Sequence, residues 1–215
     1  MNNTEIMNFV IPYTVCDNDR IINVLELIEK VARENIPGDF VEAGVFKGGI
    51  IMAMALKCKQ LGLNRKIYAY DTFSGMTTPT DLDVNIHNIP AGILMDPSSP
   101  MYSKNVFCKS TLEETKANIQ KTGYDNIIFC EGDIVKTDIH AIPKQIALLR
   151  LDTDWYESTK FDLQHFEPNV VKGGFVIIDD YGHWKGSRKA VDEFLQVHPQ
   201  NMLPIDYTGR YWKKV

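Results

Sequence analysis

Five short apolar runs recur along the chain: 39–43 (DFVEA), 66–71 (KIYAYD), 126–131 (NIIFCE), 145–152 (QIALLRLD) and 174–179 (GFVIID). Strands that stay apolar instead of alternating with polar residues are buried on both faces, as in parallel sheets. Between the runs the periodicity turns helical. Residues 19–35 carry Ile21, Ile22, Val24, Leu25, Ile28, Val31 and Ala32 at helical spacing behind a cap at Asp17 or Asn18. Further helices are predicted over 50–61, 110–122, 157–166 and 186–197, the second of these opening with a capping box of Ser110 with Glu113 or Thr111 with Glu114. The tail, 202–207 and 209–213, reads as a terminal antiparallel strand pair. Strand–helix alternation predicts an α/β fold: a mostly parallel sheet with helices on both faces.

At 215 residues the chain is long enough for one domain with an adequate core and needs no staple. The 23 Lys and Arg against 28 Asp and Glu leave a net charge of −5. No basic run breaks that balance, which argues against nucleic-acid binding. Cys16, Cys58, Cys108 and Cys130 form no CxxC pair, so they are expected to be reduced and mostly buried, as in a cytoplasmic protein. Neither a signal peptide nor a membrane-spanning stretch is expected. Oligomeric state is not legible; a homodimer is compatible with the sequence.

Residues 72–109 break the rhythm. These 38 residues have weak periodicity and contain Pro79, Pro90, Pro97 and Pro100. Loops this long are functional or disordered. This one follows the carboxyl end of a strand, where ligands bind in open α/β sheets. It is expected to be a lid.

The candidate site residues also fall at strand ends. Phe40 to Gly49 (FVEAGVFKGG) runs from a strand through Gly44, Gly48 and Gly49 into a helix. Glycines there allow a ligand to approach the backbone, and a helix start favours an anionic group. The spacing is neither G-x-G-x-x-G nor a P-loop. Asp71 ends the second strand, where an acid can accept from ribose hydroxyls. Glu131-Gly132-Asp133 ends the third. Together these describe a nucleoside pocket, with Thr14 a candidate contact from the segment before the first long helix.

Leu151-Asp152-Thr153-Asp154 closes the fourth strand and Ile178-Asp179-Asp180-Tyr181 the fifth. Converging carboxylates repel and desolvate unless a cation joins them. Oxygen ligands suit Mg²⁺, Ca²⁺ or Mn²⁺. Asp152, Asp179 and Asp180 are therefore the expected metal ligands. Of the five histidines, His183 follows the Asp pair and is a candidate base or substrate contact; 87, 140, 165 and 198 are scattered and read as structural. Trp155, Tyr156 and Trp184 could stack on a sugar ring or pack in the core.

EAGVFKGG, YAYDTFSGM, LDTDWYEST and GGFVIIDDYGHWKGSRKAVDEF resemble the macrocin O-methyltransferase family over about residues 13–212. The resemblance implies a class I methyltransferase (Rossmann-like) fold. It implies cofactor contacts to S-adenosylmethionine from Glu42 through Gly49, Asp71, Phe73 and Gly132-Asp133, and a divalent cation, Mg²⁺ or another, on Asp152, Asp179 and Asp180. It also implies a hydroxylated small-molecule acceptor, a sugar or glycoside. Methylating a weakly acidic hydroxyl calls for a proton acceptor: Asp152 first, then Asp154, with His183 in reserve. Two rivals remain: an O-methyltransferase for a catechol-like diol, and a non-catalytic S-adenosylmethionine-binding module.

Overall fold

A computed structural model describes residues 1–136 and 142–215; His140 lies outside the described residues. A seven-stranded sheet has the order β3-β2-β1-β4-β5-β7-β6. Its strands are β1 (Asp39–Ala43), β2 (Ile67–Asp71), β3 (Ile127–Glu131), β4 (Ile146–Leu151), β5 (Val170–Ile178), β6 (Leu203–Pro204) and β7 (Arg210–Lys213). The first five are parallel, and β7 pairs antiparallel with both β5 and β6. The chain is thus a class I methyltransferase-type α/β fold with a C-terminal antiparallel pair.

Helices cover both faces. On one side α2 (Asn18–Arg33) and α3 (Gly49–Leu61) bury Ile21, Leu25, Ile28, Ile51 and Met54 against Phe40 and Leu148. On the other, α7 (Tyr156–His165) and α8 (Lys185–Val197) enclose Leu149, Leu163, Phe166, Val176 and Trp212. The β4 run IALLRL is buried at every position because both layers close on it. The periodicity did not point to α1 (Asn3–Val10), which starts with a capping box of Asn2 and Glu5 and buries only Ile6 and Val10. The buried Lys57 of α3 ties it down by donating to Asn3 Oδ1 at 2.6 Å and pairing with Glu29.

Helix α6 (Leu112–Gln120) opens with the Thr111–Glu114 capping box, the second of the two expected pairs. Strand β5 starts four residues earlier than the sequence suggests. Gly173 and Gly174 form an irregularity inside the strand, where the register against β4 jumps from Val170 to Phe175. Of the cysteines only Cys58 is fully buried, and none forms a disulfide. No described helix is long and apolar enough to cross a membrane.

The 72–109 segment is not structureless. It contains α4 (Ala91–Met95) and α5 (Lys104–Phe107). Ala91 packs with Trp155 and Trp184 in a small core of its own, the two rings meeting edge to face at 4.9 Å. Asp83, fully buried, accepts from the Tyr156 N–H at the start of α7 (2.7 Å), while the Lys185 N–H donates to Val84 O at 2.9 Å. The segment is therefore bolted across the carboxyl ends of β4 and β5.

Candidate active site

The sheet reverses its order between β1 and β4, and the carboxyl ends of the strands diverge there into a crevice. A cavity of about 480 Å³ occupies it. Of the residues expected from sequence, Thr14, Glu42, Gly44, Asp71, Gly132, Asp133, Asp152, Asp154, Asp179, Asp180 and His183 line this cavity. Gly48, Gly49 and Phe73 do not.

The cofactor-side turn shows why. Gly44 has φ +86°, and a Cβ there would lie 1.8 Å from the Asp152 carbonyl oxygen, so the ends of β1 and β4 approach closely only because the residue is glycine. Gly48 and Gly49 are tight for another reason: added Cβ atoms would meet Ile119 of α6 and Tyr13–Thr14. Those two glycines accommodate protein, not ligand. The Phe73 ring is buried in the core beside Phe129, and only its N–H reaches the site, donating to Asp71 Oδ1 at 2.7 Å.

Asp71 is already well used. Its Oδ2 accepts from the Val45 and Phe46 N–H groups at 2.7 and 2.9 Å. The carboxylate thus ties the turn after β1 to the end of β2, with one lone pair on Oδ1, only loosely approached by Thr72 Oγ1 at 3.4 Å, open to a ligand. Across β2, the Gly132 N–H donates to Asp71 O at 2.9 Å, bringing Gly132-Asp133 beside it.

The acid side is built differently. Asp152, Asp154 and Asp180 each offer a carboxylate oxygen, and the three atoms lie within 4.8 Å of one another. Asp154 sits at φ +61°, a left-handed conformation disfavoured for a non-glycine residue. It is held there because Thr153 Oγ1 donates to the buried Asp162 at 2.8 Å and Ser158 Oγ to Thr153 O at 2.9 Å. Asp180 Oδ2 is buried without a hydrogen-bond partner. Burial raises all three carboxyls, and mutual repulsion pushes Asp180 well above the usual range; Asp154 reaches about 7. An orphan buried oxygen among three crowded carboxylates is a donor set that a hard divalent cation fits.

Asp179, the expected third ligand, is ion-paired on both oxygens: Oδ2 with Arg20 and Oδ1 with Arg150. Further ligation by Asp179 would use its remaining lone pairs. It also shares a second group of possible ligand atoms with Asp152 and Cys16. In place of Asp179, the structure brings Asp154 against Asp152 and Asp180.

Sequence reasoning did not single out Arg20 and Arg150. Arg150 is 1 % exposed, one residue before the carboxyl end of β4, and donates through Nη1 to Glu42 Oε1 (2.6 Å) and Asp152 Oδ2 (2.7 Å). The signal was available: a lone Arg in an apolar strand demands buried acids. Burial outweighs even this partner at Glu42, whose carboxyl is pushed up to about 8. The loop between β6 and β7 was also missed. Tyr207 and Thr208 line the cavity, and Tyr207 Oη lies 3.4 Å from His183 Nδ1. Burial holds the His183 imidazole below its ordinary range, so it is neutral near pH 7. Trp155 belongs to the small core, and Trp184 shows one edge to the cavity.

Comparison with known proteins bears on the family and the fold. The chain is 30 % identical to the 8-demethyl-8-(2,3-dimethoxy-alpha-L-rhamnosyl)-tetracenomycin-C 4'-O-methyltransferase of Streptomyces olivaceus, over 94 % of this chain and 76 % of that protein. It is 30 % identical to the demethyldecarbamoylnovobiocin O-methyltransferase of Streptomyces niveus, with the same coverage. The solved structure of the O-methyltransferase NovP superposes with a TM-score of 0.79 at 28 % identity, covering 94 % of this chain and 82 % of that one. The macrocin-O-methyltransferase (TylF) family pattern matches residues 8–214, and the chain belongs to that family of S-adenosylmethionine-dependent O-methyltransferases.

Proposed function

We propose that this enzyme methylates a hydroxyl of a sugar or glycoside and that a divalent cation, most simply Mg²⁺, is needed for it. The acid cluster carries this reading: three carboxylates within 4.8 Å, one with an orphan oxygen, opening into the same cavity as the cofactor-side turn. The relatives' names support the acceptor class, one being a rhamnosyl-tetracenomycin methyltransferase and another a mycinamicin III 3''-O-methyltransferase.

On this reading Glu42, Gly44, Asp71, Gly132 and Asp133, with Thr14, face S-adenosylmethionine. Asp152 and Asp180 hold the cation. S-adenosylmethionine supplies an electrophilic methyl group, and the cation supplies Lewis acidity that makes a hydroxyl easier to deprotonate. Asp154 takes the hydroxyl proton. Asp152 is the weaker base because Arg150 already occupies its Oδ2. His183, neutral and beside Tyr207, orients the acceptor. Asp179 fixes the frame through its two arginines. Residues 72–109, single-domain with the rest, cover the acceptor: Met76, Thr77, Asn105, Val106 and Cys108 supply that wall of the cavity.

Methyl transfer from labelled S-adenosylmethionine to a panel of free and aglycone-linked deoxysugars, with and without EDTA, tests the proposal. Full-rate transfer after exhaustive chelation would sink the metal role. Transfer to catechols but to no sugar would sink the acceptor class.

A further inference from the structure

We propose that Arg150 is a positioning residue that sets the cofactor-side and cation-side carboxylates in one frame, so that neither half of the site is correctly placed without the other. The inference rests on the assignment above of Glu42 to the cofactor and Asp152 to the cation.

Arg150 is fully buried and reaches four segments of the chain. Nη1 donates to Glu42 Oε1 on β1 at 2.6 Å and to Asp152 Oδ2 beyond β4 at 2.7 Å. Nη2 pairs with Asp179 at the end of β5 and donates to Cys16 Sγ, just before α2, at 3.0 Å. One nitrogen therefore serves a carboxylate from each half of the site. Nη1 carries two N–H bonds, one for each carboxylate, so a displacement of either acid tilts the planar fork away from the other. A planar guanidinium with donors in a fixed fork can do this; an ammonium, a single point of charge, cannot hold the same spacing. Arg20 extends the chain by pairing with Asp179 and with Asp206, at 3.1 Å, in the loop that carries Tyr207. A simple charge-neutralising role would need none of this sharing. Neutrality could be met by any cation in the space, whereas the observed bonds specify distances.

The test uses the full-length enzyme and two probes: S-adenosylhomocysteine by calorimetry, and Mn²⁺ by electron paramagnetic resonance. Arg150→Lys keeps the charge and removes the fork. It is expected to weaken both probes by about 10–100-fold, the usual cost of losing a group that orients ligands from behind. Two cycles then separate positioning from general support. Glu42→Ala removes the acceptor and should weaken Mn²⁺ binding in the wild-type background, and that weakening should vanish in the Arg150→Lys background. Asp152→Asn should behave reciprocally toward S-adenosylhomocysteine. A purely electrostatic influence of Glu42 on the cation would persist in both backgrounds, so effects that add within about twofold overturn the proposal. If Arg150→Lys does not fold by circular dichroism, Glu42→Ala alone decides: unchanged Mn²⁺ affinity overturns it. Wild-type protein that binds neither probe would overturn the site assignment itself, and this proposal with it.

Discussion

Asp71 ends β2 and Asp180 lies two residues beyond β5, at the same edge of the same sheet, yet they are held in opposite ways. Asp71 accepts three backbone N–H groups and closes a turn. Asp180 accepts nothing at its buried Oδ2 and faces two other carboxyls. The first carboxylate is satisfied by the protein; the second, on the proposed reading, is left to an external positive charge. Residue type and strand-end position do not distinguish them. What distinguishes them is which backbone donors the neighbouring turn presents.

The sharpest break in this comparison is removal of the cation. Chelation, or Asp180→Asn, is expected to lower kcat/KM by about three orders of magnitude, the scale of several kcal/mol of lost charge stabilisation. S-adenosylhomocysteine affinity should stay within a few-fold. An acid-side change that abolished cofactor binding equally would erase the division between halves. Next in size, Asp154→Asn removes the proposed proton acceptor and should cost about 10²–10⁴-fold in kcat. Its Mn²⁺ affinity should fall far less than that of Asp180→Asn. Equal loss of Mn²⁺ would make Asp154 a ligand and pass the proton to His183.

Asp71→Ala probes the other half. Losing hydrogen bonds to a charged group costs about 1.5–3 kcal/mol, so S-adenosylhomocysteine should bind roughly tenfold to a hundredfold more weakly. Because the same carboxylate ties Val45 and Phe46, the melting temperature should fall as well, with or without Mg²⁺. A variant that loses affinity and keeps its full melting temperature would show that the tether carries no stability.

The smallest effect is a pH dependence. Folding raises Asp154 to about 7, and Glu42 and the buried Asp162 to about 8, each chiefly by burial. A carboxyl raised on folding binds more protons folded than unfolded, so stability falls as pH rises through that window. His183, lowered by burial, acts in the opposite sense only below its ordinary value of 6.5. Metal-free protein should therefore melt roughly 2–8 °C lower at pH 8 than at pH 6. Mg²⁺ should shrink that difference. A melting temperature that rises with pH in EDTA would contradict the crowded-carboxylate picture.

Much of the architecture could be read from the chain because parallel strands buried on both faces leave uninterrupted apolar runs; β1 was located to the residue. The first four residues of β5 were missed because an irregularity separates them from the apolar run 174–179, and α1 because two buried residues make a weak period. At the site, strand-end acids were visible as letters, but their satisfaction was not. Asp71's amides come from a turn 25 residues upstream, and Arg150's partner Cys16 is 134 residues away. Gly48 and Gly49 looked ligand-facing because sequence does not reveal that α6 and Tyr13 crowd against them.

The anchoring of 72–109 has a consequence for how such enzymes diversify. Asp83, Val84 and Ala91 fasten the segment to α7, α8 and the Trp pair. Asn105 and Cys108 look into the cavity from beyond those bolts, whereas Val106 and Thr77 line it while also gripping the Trp pair, Val106 by packing and Thr77 by accepting from Trp155 Nε1 at 3.0 Å. Structural obligation and acceptor contact thus overlap at Val106 and Thr77 and part at Asn105 and Cys108. A lineage can rewrite Asn105 and Cys108 while leaving the fastening intact, and a chimera that takes those two residues from a relative should fold on this frame with a shifted taste in acceptors.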